Sequence, residues 1–145
     1  MSVYSGRDRY ASYSLSYSNR ILTGVVTGSI GIQLATQYDR DLTQILHSIA
    51  DKYFAYVGDF SACQAYTDDA TGVVHLTHQK TEKAGCVVDA YCMGTALSRE
   101  QMRRIRSDAK NPASLDERIF DDYQQCVSFV QSVLAQFESS SEASK

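Results

Sequence analysis

Nowhere does the chain run through the ~18 consecutive apolar residues that a membrane-spanning helix needs. Its first residues, MSVYSGRDRYASYSLSYSNR, hold no apolar stretch that could act as a signal peptide. A cytoplasmic protein is therefore expected. Excess positive charge is also missing: 14 Lys and Arg stand against 17 Asp and Glu, a formal charge of -3 at pH 7. That argues against nucleic acid as a partner, which needs a concentrated positive field. Cysteine is sparse. The four, at 63, 86, 92 and 126, include no C-x-x-C pair, which speaks against a disulfide scaffold and fits no zinc motif. Reduced, mostly buried thiols are expected. What is there is ordinary globular composition, 43% hydrophobic and 21% charged over 145 residues. That length suits one domain burying about 68–70% of its unfolded surface.

Residues 13–17 (YSLSY) alternate apolar and polar, the period of a half-buried strand. Ser18, Asn19 and Arg20 supply a turn, and 21–27 return as the second strand of a hairpin. Over 32–50 a stripe of Ala35, Tyr38, Leu42, Ile45, Leu46 and Ile49 predicts a long helix, with Asp39, Arg40 and Asp41 on its solvated face. A third strand at 53–57 is apolar on both faces, as a strand covered from both sides is. It breaks at Gly58 and Asp59, and a loop over 59–67 leads into a second helix at 68–83. A fourth strand follows at 86–92.

Ser98 and Gln101 have the spacing of a capping box, with Leu97 and Met102 placed as its hydrophobic staple. That helix should end by Ala109, because Asn111-Pro112 cannot extend it. Residues 118–120 are a candidate fifth strand. Asp121 or Asp122 caps a last helix with the stripe Tyr123, Cys126, Val127, Val130, Val133, Leu134 and Phe137. The fold class is α/β: a mixed central sheet of four to five strands, an N-terminal hairpin followed by parallel βαβ units, flanked by helices. Residues 1–12 are expected as an N-terminal arm, 13–137 as a single domain, and 138–145 (ESSSEASK) as a disordered tail.

With that element order, ILTGVVTGSIG (21–31), YVGDFS (56–61), TDDA (67–70) and RIFDDYQQCVSFVQSVL (118–134) resemble a STAS-type domain of the anti-sigma-factor-antagonist-like, or SpoIIAA-like, kind. The resemblance spans about 13–137. It implies a helix-flanked sheet without catalytic apparatus, acting as a protein-interaction module. In several members of the family a Ser or Thr at the start of the second helix is phosphorylated, and other members bind small ligands or lipids. The family's switch motif resembles D-S-[ST]-G. Asp69-Ala70-Thr71-Gly72 is similar to it, with Ala70 at the phosphoacceptor position and Thr71 as the neighbouring hydroxyl that could stand in.

The candidate site follows from topology. A strand that delivers Asp, Ser and Thr to its carboxyl end beside a helix N-terminus is where α/β domains place their working surface. Here those residues are Asp59, Ser61, Thr67, Asp69 and Thr71, the expected partner-binding or phospho-regulated set. Thr67, Asp68 and Asp69 also suit a plain helix start. No catalytic residue, cofactor or metal is expected. Asp59 with Asp69 has no sign of a substrate pocket, and Gly24, Gly28 and Gly31 match no phosphate-loop spacing. His75 and His78 lack a third ligand nearby, and Cys63 is expected to pack rather than react. Arg99, Arg103, Arg104, Arg106 and Lys110 are read as a solvated basic face, partly neutralised by Asp116, Glu117, Asp121 and Asp122.

The expectation is a non-enzymatic protein-interaction or regulatory module whose partner is another protein. The alternative is a carrier holding a small apolar ligand or lipid in a cleft between helix and sheet. Tyr4 and Tyr10, in an otherwise polar segment, suggest docking on the body or on a second copy in a homodimer.

Overall fold

In the computed structural model, which describes residues 2–106 and 114–143, two residues of positive φ shape the first expected hairpin. Asn19 (φ 51) and Arg20 (φ 65) join β2 (Ala11–Ser18) to β3 (Ile21–Ile30), a left-handed pair whose twist suits antiparallel strands. The register sets Tyr13 opposite Val26 and Leu15 opposite Gly24, so one face of the hairpin buries Tyr13, Leu15, Leu22 and Val26. Gly28 is required where it stands: its φ is +81, and a Cβ there would meet the Tyr10 carbonyl at 2.1 Å.

The segment expected as an arm is mostly a strand. β1 (Ser2–Arg7) pairs antiparallel with β2 from Ser2↔Tyr17 to Arg7↔Ser12. The Asp8 carboxylate shapes the connection by accepting the N–H groups of Tyr10 and Ala11. Among the described side chains of this edge strand Tyr4 is the apolar one packed on the core, and Val3 is exposed, so its sequence carries no apolar alternation to read.

The remaining elements are α1 (Ile32–Ser48), β4 (Phe54–Tyr66), α2 (Asp68–Lys83), β5 (Cys86–Met93), α3 (Ala96–Ile105), a 3-10 turn (Leu115–Arg118) and α4 (Tyr123–Ala143). The five strands lie in the order β1-β2-β3-β4-β5, with β3-β4 and β4-β5 parallel. The mixed sheet is thus as expected, but its fifth strand is the N-terminal one. At 118–120 the turn and the start of α4 leave room only for a single bridge, Ile119 to Tyr91. Residues 138–143, expected in the tail, continue α4; a formed helix adds a hydrogen bond per residue and needs no apolar stripe to lengthen.

Two side-chain roles also differ from the sequence reading. α3 is capped by Thr95, whose Oγ1 accepts the Ser98 N–H at 3.0 Å. Ser98 is buried and Leu97 is exposed, so neither the Ser98 capping box nor the staple forms. Asp39 and Asp41 are tied down rather than merely solvated: Asp39 takes Lys80 Nζ at 2.9 Å, and Asp41 takes the Tyr13 hydroxyl. The expected helix stop at Ala109 to Pro112, and Lys110, lie outside the described residues.

The helices cover the sheet unequally. α1, α2 and α3 pack on one face over a core that includes Tyr13, Tyr38, Phe54, Tyr56, Phe60, Tyr66 and Tyr91. α4 lies on the other, with Cys126, Val130 and Leu134 over Ala55, Val57, Val88, Ala90 and Cys92. Among the described residues no helix is long and apolar enough to cross a membrane.

Candidate functional site

β4 runs through the expected break. Gly58 does not end the strand; it makes space, since a Cβ there would come within 2.9 Å of the Phe60 and Tyr91 rings. Beyond it β3 supplies a backbone partner as far as Ile30↔Tyr66, with register shifts between Val25 and Thr27 and between Gly28 and Ser29. Phe60, Cys63 and Tyr66 all bury on the α1–α3 side. Their spacing of three, where a regular strand has two, comes from the extra residues at those irregularities. β5 stops pairing at Phe60↔Met93. After that Gly94 lies against the Ser61 carbonyl, and Thr95 Oγ1 donates to the Gln64 carbonyl at 2.8 Å.

The expected site residues therefore form two groups. Asp59 and Ser61 sit within β4: Asp59 Oδ1 accepts the Ser61 hydroxyl at 2.7 Å and the Ser61 N–H at 3.2 Å. Ser61 is exposed and Asp59 half-buried. Thr67, Asp69 and Thr71 stand at the strand's far end, roughly 20 Å further along at ~3.3 Å per residue. The structure joins residues within each group but does not bring the groups together.

In the second group Thr67 caps α2, its Oγ1 accepting the Ala70 N–H at 3.4 Å and donating to Asp69 Oδ1 at 2.5 Å. Asp68 and Asp69 occupy the first turn, where the helix dipole favours negative charge. Ala70, at the position of the resembled phosphoacceptor, is wholly buried in the core. Thr71 turns back to donate to the Asp68 carbonyl. Thr67 is exposed, so it is the hydroxyl at this helix start most open to solvent.

Two polar features escaped the sequence. Gln101, expected in the capping box, bonds both backbone groups of Tyr66: it accepts the N–H at 2.9 Å and donates to the carbonyl at 2.7 Å. Arg106, expected on the solvated face, is buried against Asp89. Its Nε lies 2.8 Å from Asp89 Oδ2 and one terminal nitrogen 3.0 Å from Oδ1, while the Tyr91 hydroxyl donates to Oδ2 at 2.9 Å. Nothing in CVVDAYC marks Asp89 as the partner of an arginine on another element. Of the other arginines, Arg103 and Arg104 are exposed, Arg103 joined to Glu100 and Asp116, whereas Arg99 is half-buried with its Nε enclosed.

The remaining candidates are packed into the fold. His75 Nδ1 lies 2.7 Å from the Ile105 carbonyl, and His78 Nε2 lies 3.5 Å from Glu82. Burial pulls the His78 imidazole below its ordinary 6.5, against the upward pull of Asp89 and Glu82. Cys63 is buried, which pushes its thiol up to about 11. Tyr38 and Tyr56 bring their hydroxyls to 2.7 Å inside the core, and burial pushes Tyr38 up to about 12. Chemically, the surface groups present carboxylates and hydroxyls to solvent, while the buried ones hold elements together.

No family model matches the chain, and no curated protein sequence does. Solved structures do match. The chain is similar to an anti-sigma factor antagonist from Mycobacterium paratuberculosis at 13% identity and a TM-score of 0.59, over 83% of this chain and 94% of that one. It is similar to the Bacillus cell fate determinant SpoIIAA in its phosphorylated form at 12% identity and a TM-score of 0.58, over 81% and 98%. An uncharacterized DUF3478-family protein with a SpoIIAA-like fold, from Shewanella loihica PV-4, gives 12% identity and a TM-score of 0.60, over 86% and 98%. The chain has the STAS-like α/β fold of SpoIIAA.

Proposed function

We propose that the chain is a non-enzymatic regulatory module that works by binding another protein. Asp59 and Ser61 form one contact patch, and Thr67, Asp69 and Thr71 a second, with Thr67 as a phosphoacceptor. The observation that carries the reading is the exposed Thr67 hydroxyl at the start of α2, in a fold whose solved neighbours include anti-sigma factor antagonists, one of them phosphorylated. A phosphate there adds about −1.5 to −2 charge. It would replace the Thr67–Asp69 hydrogen bond with repulsion and so alter the end of β4 that a partner meets.

The test is cross-linking capture from the protein's own host, comparing the unaltered chain with a folded Asp59→Lys variant. A protein held by the first and lost from the second supports the reading, as does phosphate found on Thr67. Equal capture by both would sink the Asp59 contact.

Small-ligand carriage, the second reading, has one place to act. Beneath α2 lies a narrow cleft of about 30 Å³, partly open to solvent, whose lining includes Tyr56, Phe60, Val74, Thr77, His78 and Met102, so an apolar ligand would have to part α2 from the sheet to enter. Native mass spectrometry of the gently purified protein tests it, an apolar adduct supporting carriage and a bare chain opposing it.

A further inference from the structure

Two of the four cysteines meet. Cys92 of β5 and Cys126 in the second turn of α4 bring their sulfurs to 3.6 Å, each nearly or wholly buried in the layer between α4 and the sheet. Cys63 and Cys86 belong to the opposite face, so neither can compete for this contact. All four are free thiols. The contact links residues 34 apart in sequence, on two elements otherwise held together by apolar packing.

The pair adjoins a helix end, Cys126 following directly on the first turn of α4. Residues 121–125, the cap and first turn of α4, are all exposed, and helix ends open more readily than their middles. The Asp122 carboxylate holds that turn by accepting the Gln125 N–H at 2.8 Å. Burial, and then the Cys92–Cys126 contact and the charges of Asp59 and Asp122, hold Cys126 firmly in the thiol form; burial also pushes Cys92 up. In the closed fold both are poor nucleophiles, so opening of the first turn controls their chemistry.

We propose that Cys92 and Cys126 form a two-electron oxidation site, closed to a disulfide by a hydroperoxide. One thiol attacks the peroxide, breaking its O–O bond and becoming a sulfenic acid while water or an alcohol leaves. The second sulfur then displaces the sulfenic hydroxyl as water and forms the S–S bond. Both sulfurs are oxidised and one peroxide is reduced. Going from contact to an S–S bond of ~2.05 Å draws the sulfurs together by roughly 1.5 Å. The product ties the start of α4 to β5 beside Asp59. A consequence for partner binding rests on the reading above; the oxidation itself does not.

The experiment treats the full chain with hydrogen peroxide at neutral pH, followed by intact mass, peptide mapping and thermal melting. The expected result is loss of two hydrogen atoms, a cross-link between the peptides holding Cys92 and Cys126, reversal by a thiol reductant, and a Tm raised by roughly 5–10 °C. Asp122→Ala, which loosens the first turn, should form the cross-link faster. Cys126→Ser or Cys92→Ser should abolish it, either variant sufficing if the other fails to fold. Oxygen added to single cysteines without a cross-link, a bridge to Cys63 or Cys86, or an unchanged mass would overturn the proposal.

Discussion

Gln101 serves Tyr66 as a sheet neighbour would, its side-chain amide meeting both the N–H and the carbonyl of a residue that β5 is too short to reach. The contact fixes the last residue of β4 one position before Thr67. Gln101→Ala leaves two backbone groups at this end of the strand without their partners and should cost about 1–3 kcal/mol in urea unfolding. Gln101→Leu, which keeps the volume but not the polarity, should cost about as much. Full stability in Gln101→Leu would show that only packing matters here.

Gly24 owes its place to a tyrosine on the neighbouring strand. A Cβ at 24 would stand 2.5 Å from the Tyr56 hydroxyl, which is itself bonded to Tyr38. Gly24→Ala should therefore destabilise by about 1–3 kcal/mol. Tyr56→Phe removes the obstructing oxygen, so in that background the penalty should shrink. A double-mutant cycle measures the coupling, and strict additivity would refute the contact.

Asp89 and Arg106 make a buried, two-pronged ion pair. Replacing Asp89 by Ala leaves a buried guanidinium short of its carboxylate and should cost about 3–5 kcal/mol. The double replacement Asp89→Leu with Arg106→Met should cost clearly less. Equal losses would mean that the pair is only packing.

Acid should weaken the fold through His78. Burial sets its folded pKa below the ordinary 6.5, so between the two values the unfolded chain binds more protons, and stability rises with pH. The contribution is whole above about 6.5 and is lost as pH falls through the folded value. His78→Gln should flatten the fall in stability measured from about pH 8 to pH 5.5. An unchanged slope in that variant would assign the acid loss to other groups.

The sequence was legible where one element explains itself. The hairpin across Asn19 and Arg20, the helices at 32–48 and 68–83, and the Thr67 cap all follow from local periodicity and turn chemistry. It was illegible where a neighbour decides. β1 is held by pairing with β2, and residues 59–66 are strand because β3 extends beside them. Gly58 looks like a breaker until the Phe60 and Tyr91 rings that occupy its space are known. The site inherited that difficulty: with the strand end placed at Gly58, Asp59 and Thr67 read as neighbours, and the longer strand separates them. Gln101 and Arg106 had local readings, a cap and a solvated charge, that long-range contacts with Tyr66 and Asp89 displaced.

Thr67 offers the sharpest separation of structure from signalling. Thr67→Ala removes the acceptor for the Ala70 N–H and should cost about 1 kcal/mol in thermal unfolding. Thr71→Ala removes only a hydroxyl donated back to the Asp68 carbonyl and should stay within about 0.5 kcal/mol. Thr67→Asp restores a cap while adding charge, so its stability should return toward that of the unaltered chain. With the patches roughly 20 Å apart along β4, Asp59→Ala combined with Thr67→Asp should add in stability to within about 0.5 kcal/mol. A loss of partner capture by Thr67→Asp, at unchanged Tm, would then report the charge at the helix start and not unfolding. Were Thr67→Asn, a cap that adds no charge beside Asp69, as unstable as Thr67→Ala, the hydroxyl would be doing something other than capping, and the role given to it would fail.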